Sequence, residues 1–204
     1  MARRGGSGGW GGWESFPPKS TPLTAVGGIK AKSQRGSIGA TWWSQRFIDV
    51  LERFGMGARL LRGKSYARKG QVLTLEVGPG MVRASVQGSR PRPYGVTMAL
   101  APFDDGQWDA ATRALAGQAI FAAQLLAGEM PEEIEEAFSG VGLTLFPSRP
   151  AELVTVCSCP DYANPCKHVA AALFLLAERF DEDPWAILAW RGRTREALLG
   201  AMRQ

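Results

Sequence analysis

All three cysteines and the only histidine of this 204-residue chain fall in one short window: Cys157-Ser158-Cys159, a six-residue connector, then Cys166-Lys167-His168. Three thiols and one imidazole are the donor set of a closed, tetrahedral zinc site, and four protein ligands leave no open position for water. Such a site is structural. Scattered core cysteines would not bunch in this way, and a disulfide framework would favour an even count.

The spacing suits the chemistry. Cys157 and Cys159 end the β-branched run Leu153-Val154-Thr155-Val156, and in an extended strand positions i and i+2 share a face, so both sulfurs can reach one ion. Pro160 to Pro165 is turn chemistry. Asn164-Pro165 reads as an N-cap followed by proline at the first helical position, which places Cys166 and His168 in the first turn of a helix running through Val169–Ala177. Residues i and i+2 lie about 200° apart around a helix. Both can therefore ligate one ion only near the helix end or in an irregular first turn. A helix N-terminus also favours thiolate.

Three other readings compete. A Cys-x-Cys redox couple leaves Cys166 and His168 unexplained. A Cys–His catalytic dyad needs an accessible thiolate and a base oriented by a third group, and there is no second histidine to serve as base. Cysteines are also often buried without any function. Among metals, an iron–sulfur cluster is the rival, but the Cys-x-Cys spacing matches none of the ferredoxin patterns. Zinc accounts for all four residues.

Cys157, Cys159, Cys166 and His168, with Cys166-Lys167-His168-Val169-Ala170 entering an alanine- and leucine-rich helix, resemble the SWIM zinc finger. The motif covers about residues 152–180, and the surrounding chain is similar to small bacterial, actinobacterial proteins that carry one such finger after a basic N-terminal region. The resemblance implies a ββα zinc module that binds DNA or another protein. It also implies an association with Snf-type helicase-like ATPases. Fold does not fix function.

Composition bounds the rest. The apolar content, 45%, is ordinary for a globular protein, and no apolar run approaches the ~20 residues of a membrane span. Met1-Ala2-Arg3-Arg4 leads into glycine and serine, not an apolar signal core. Reduced cysteines fit the cytoplasm. The net charge of +5 is strongly asymmetric: residues 1–100 hold 16 Lys/Arg against 4 Asp/Glu (+12), and residues 101–204 hold 8 against 15 (−7). Attraction to nucleic acid must therefore come mainly from the first half, away from the metal.

Residues 1–38 read as a disordered basic, Gly/Trp-rich tail. It is either an arm that contacts phosphates and stacks tryptophan on bases, or a solubilising segment. A helix is predicted over residues 41–54, with Gly55 as its stop, and its aromatic stripe is core-facing. A basic loop, Arg59 to Gly70, precedes strands at 71–77, 81–87 and 94–100. Arg35, Arg62, Lys64, Arg68, Lys69, Arg90 and Arg92 are the candidate nucleic-acid contacts, because aromatics are interleaved with charge and acids are almost absent. Gly78-Pro79-Gly80 lacks the Gly-Lys-Ser/Thr and helix of a phosphate loop. Asp104, Asp105 and Asp109 read as a helix N-terminus rather than a carboxylate site. A long helix to Gly128 and a short acidic helix at 131–138 follow. A strand at 143–146 is expected to form a hairpin with the Leu153 strand, and two further helices close the chain.

The expected fold is α+β: a helix and small antiparallel sheet, a long helix, then a ββα zinc module with C-terminal helices. Residues 39–140 are expected to form one domain and 141–204 the zinc module with its helices. The expected function is zinc-dependent nucleic-acid binding, with DNA as partner. The alternative is an adaptor for a helicase-like ATPase. No enzyme is expected, because the metal consumes the lone histidine; no small-molecule substrate or membrane partner is expected either.

Overall fold

The computed structural model describes residues 21–202 apart from Gly128 and Tyr162. Strands β1 (Val72–Gly78), β2 (Met81–Val86) and β3 (Tyr94–Leu100) follow the predicted segments, and β4 is Leu153–Cys157. They form one antiparallel sheet in the order β1-β2-β3-β4. Side chains alternate as a half-buried sheet requires. Val82, Ala84, Val86, Val96, Met98, Leu100 and Leu153 are buried, while Arg83, Gly95, Val154 and Val156 face out. The class is α+β, as the sequence implies.

The partner of β4 differs from expectation. Residues 143–146 form no strand, and β4 pairs instead with β3, in the register Val96↔Cys157 to Leu100↔Leu153. The ββα arrangement is thus assembled from β3, β4 and the zinc helix. Arg191 accounts for the irregular 143–146 segment. Its buried guanidinium donates to the carbonyls of Thr144 (2.7 Å), Leu145 (2.8 Å) and Ala101 (2.9 Å), so two of these groups are withdrawn from any ladder. Desolvation pushes the Arg191 pKa down to about 10, with the charge of Glu152 opposing it. The group remains cationic at neutral pH.

Helices α1 (Trp42–Leu51) and α2 (Gly57–Arg68) are joined by a π-helical turn, Glu52–Met56, in which Gly55 takes φ +75°. Gly55 therefore redirects the chain instead of ending the helical region. The segment read as a basic loop is α2. Its buried residues Leu60, Gly63, Tyr66 and Ala67 lie at helical spacing, but the arginines and lysines between them dilute the apolar signal. The predicted long helix is two, α3 (Asp105–Ala116) and α4 (Ala119–Leu126). Asp104 caps α3 through a reciprocal pair with Gln107, so its carboxylate serves the helix end. α5 is Ile134–Ser139, with Ile134 and Phe138 buried.

At the centre lies α6 (Lys167–Glu182), followed by α7 (Trp185–Trp190) and α8 (Arg195–Met202). Every residue of α6 from His168 to Glu178 is buried, the signature of a helix enclosed on all sides. α1 and α2 flank it, and β1, β3 and β4 also contact it. A boundary at 140/141 would pass through this shared sheet and core.

The N-terminal segment also departs from expectation. Residues 1–20 lie outside the described residues, but 21–38 run along the body. Leu23 and Ile29 donate backbone bonds to Gly88 and Val72, Ala31 donates to Ala67, and Ala31 and Ile38 are buried. The carboxylate of Asp181 on α6 accepts the N–H groups of Ala40 and Thr41 and the Thr41 hydroxyl, anchoring the start of α1. The Trp42 and Trp43 indoles donate to Met130 and Phe180 carbonyls. Among the described residues no helix is long and apolar enough to cross a membrane.

Candidate metal centre

The end of β4 and the start of α6 bring together Cys157, Cys159, Cys166 and His168, whose donor atoms all lie within 4.8 Å of one another. Cys166 is the N-cap of α6, with extended φ −81° and ψ 176°. That conformation resolves the i, i+2 problem: the sulfur precedes the helical turn, and His168 at the second helical position reaches the same point. The Nδ1 of His168 lies 3.6 Å from Cys166 Sγ and 3.8 Å from Cys157 Sγ. With Zn–S and Zn–N bonds of the usual length, tetrahedral geometry requires S···N edges of roughly 3.6 Å. The donor set and its spacing therefore fit one structural zinc ion, held through Nδ1.

Asn164 does not cap α6. Its side-chain oxygen accepts from the Thr155 hydroxyl (2.6 Å) and its amide donates to the Thr155 carbonyl (2.7 Å), tying the connector back to β4. The peptide bond between Asn164 and Pro165 is cis.

Without the ion, the thiols are unequal. A hydrogen bond from the Cys157 thiol, with His168 and the N–H groups of Val169 and His168 adding to it against burial, pushes Cys166 down to about 3. Cys157 is pushed up by the same bond to Cys166 and by burial; burial also raises Cys159. The hydrogen bond from Cys157, helped by His168 and the amides at the helix start, thus makes Cys166 the thiolate of the set, and a bound cation draws the others into that state.

The histidine is clamped by two tyrosines. Tyr66 on α2 meets its ring edge-on at 5.3 Å between centroids, and Tyr94 on β3 lies tilted at 4.7 Å. Nε2, turned from the sulfurs, is buried and has no hydrogen-bond partner among the described residues. Gly88 gives this packing its room: a Cβ there would lie 2.3 Å from Tyr94 Cε2 and 3.0 Å from His168 Nε2.

The sequence-selected cations fall into three groups. Arg62, Lys69, Arg90 and Arg92 are exposed, the first two on or just after α2 and the others on the β2–β3 connection. Arg35 is exposed on the N-terminal segment. Arg68 and Lys64 have local partners: Arg68 donates to the carbonyls of Ser33 (3.1 Å) and Gly36 (2.6 Å), and the Lys64 ammonium sits 5.4 Å from the Phe174 ring centroid. Three contributors were not selected. Arg59 donates to the Asn164 carbonyl beside the ligands, Lys167 lies 5.3 Å over the Tyr66 ring, and Tyr94 packs on His168. Arg59 precedes Arg62 by three residues, a spacing that gains meaning only once α2 is known to be a helix.

A family model for the SWIM zinc finger matches residues 145–177. Over 184 residues the chain is 60% identical to the uncharacterized protein Rv2102 of Mycobacterium tuberculosis, an alignment spanning 90% of this chain and 66% of that one. No solved structure matches. Residues 145–177 thus carry a SWIM zinc finger, with Cys157, Cys159, Cys166 and His168 converging as four donors of one site.

Proposed function

We propose that the protein binds nucleic acid, with DNA as its partner, and that zinc acts as a structural staple beneath the binding surface. One observation carries this reading. The two acid-poor basic segments, α2 and the β2–β3 connection, meet the same zinc-binding imidazole through Tyr66 and Tyr94. From Arg53 to Phe103 the chain carries nine Lys/Arg and a single acid, Glu76. The sequence alone sets the basic surface apart from the metal; the tyrosine contacts bring it to the metal's flank. Exposed cations held by a rigid scaffold release counterions when they meet phosphates, so affinity falls steeply with salt. The reading assigns no catalytic role, since the sole imidazole is a ligand. Thiols kept reduced for zinc suit a cytoplasmic setting.

Fluorescence anisotropy with labelled duplex DNA across a salt series tests this. Zinc-loaded protein is expected to bind with a steep salt dependence, and neutralising Arg59, Arg62 and Lys69 together is expected to flatten it by about three in log–log slope. No binding at low salt would reject the reading. It would favour the adaptor for a helicase-like ATPase, whose supporting observation is the pair of exposed apolar side chains Ile120 and Leu126 on α4.

A further inference from the structure

Beside the metal, on the outward face of the sheet, Ser85, Arg90, Arg92, Gly95 and Ser158 line an open cleft of about 700 Å³. We infer that this cleft holds one phosphodiester of a nucleic-acid strand, clamped by Arg90 and Arg92 and contacted by Ser158, the residue between the first two zinc ligands. The inference rests on the proposed nucleic-acid binding and adds a defined phosphate contact to it.

Four features point there. Arg90 and Arg92 are exposed, and neither has a carboxylate partner among the described residues. Two guanidiniums offer the planar donor forks that match phosphate oxygens. Ser158 is fixed by two bonds to Gly95: its N–H donates to the Gly95 carbonyl (3.0 Å), and its Oγ accepts the Gly95 N–H (3.0 Å). The hydroxyl oxygen is used as an acceptor, so its proton remains free to donate to an anion. Finally, Gly95 has nothing within 4 Å of where a Cβ would stand. A chain lying across the cleft can continue over that bare backbone, which suits a polymer better than an enclosed small molecule.

The cleft is also built on the metal centre. Cys157 and Cys159 flank Ser158 in sequence, while Tyr94, which follows Arg92 and Pro93, packs on His168. Loops that would otherwise be free to move are thus fixed at both walls, and the donors need little reordering to meet a ligand.

The test uses the zinc-loaded full chain and labelled duplex DNA over a salt series. Arg90→Gln/Arg92→Gln, both at exposed positions, is expected to weaken binding about tenfold and to lower the log–log salt slope by about two. Ser158→Ala, with zinc content verified as unchanged, is expected to weaken binding several-fold with little change in slope, because it removes a neutral donor. A charge-matched control, Arg113→Gln/Arg195→Gln, is expected to leave both quantities near wild type. The inference is overturned if the Arg90/Arg92 variant keeps wild-type affinity and slope while the α2 variant loses them, an outcome that leaves the proposed function standing. It is equally overturned if the control loses as much as the cleft variant. Absence of any DNA binding by the wild-type protein overturns both readings.

Discussion

Gly63 of α2 rests directly on Ala170 of α6: a Cβ at position 63 would fall 2.4 Å from the Ala170 Cβ, and 2.6 and 2.7 Å from the backbone of Ala170 and Ala171. Backbone atoms cannot step aside as a side-chain tip can. Gly63→Val is therefore expected to destabilise the protein by about 3 kcal/mol, read as a lower urea midpoint. A midpoint equal to wild type would mean that α2 does not pack on α6 in this way.

Metal analysis of the purified protein is expected to give about one zinc per chain. Cys166→Ser should lose the metal and unfold at a temperature many degrees lower, because the N-cap ligand fixes the start of the central helix. Chelation of the wild type should reproduce that shift. Full zinc content in the variant would rule out Cys166 as a ligand.

Gly88→Ala tests the packing around the histidine. The added methyl would collide with Tyr94 and press towards Nε2, disturbing the groups that hold the imidazole in its ligating orientation. Outer-shell partners of metal ligands typically contribute 10–100-fold in affinity. A loss of about tenfold in zinc affinity is expected by chelator competition, with the four ligands themselves intact.

Arg191→Met would leave the carbonyls of Ala101, Thr144 and Leu145 without their shared donor. A cost of about 2 kcal/mol is expected, because the buried Leu145 carbonyl loses its partner, whereas those of Ala101 and Thr144, at exposed positions, can turn to water. Arg191→Lys should not restore stability, since a single ammonium cannot match the planar fork that spans three acceptors. Denaturant titration of the two variants provides the comparison.

The metal ligands were legible because ligand chemistry is local: four donors within one short window carry their own geometric requirement. The strands were legible for a similar reason, as period-2 alternation is written in each segment. Elements whose identity depends on distant partners were not. α2 reads as a loop because its core face is only Leu60, Gly63, Tyr66 and Ala67, and a glycine, a poor helix former, makes sense there only once α6 is known to lie against it. Residues 143–146 read as a strand because Leu143, Leu145 and Phe146 are apolar, yet Arg191, some 45 residues away, takes the carbonyls that a ladder would use. The anchoring of Thr41 by Asp181 likewise joins groups 140 residues apart, and no local pattern announces it.

The antiparallel pairing of β3 with β4 has a consequence for how the protein comes into being. Cys157 stands opposite Val96, so the chain must close a loop of about sixty residues before that strand finds its neighbour, and long-range closure is slow relative to local helix formation. Tyr94, at the start of β3, joins Tyr66 of α2 at the histidine only with that closure. A nascent chain exposing the ligand window can capture metal loosely, but the mature site, with its imidazole clamped, exists only once the sheet is complete. Tight metal retention is thus a marker of finished folding, so time-resolved zinc uptake would act as a clock for the final assembly of this molecule.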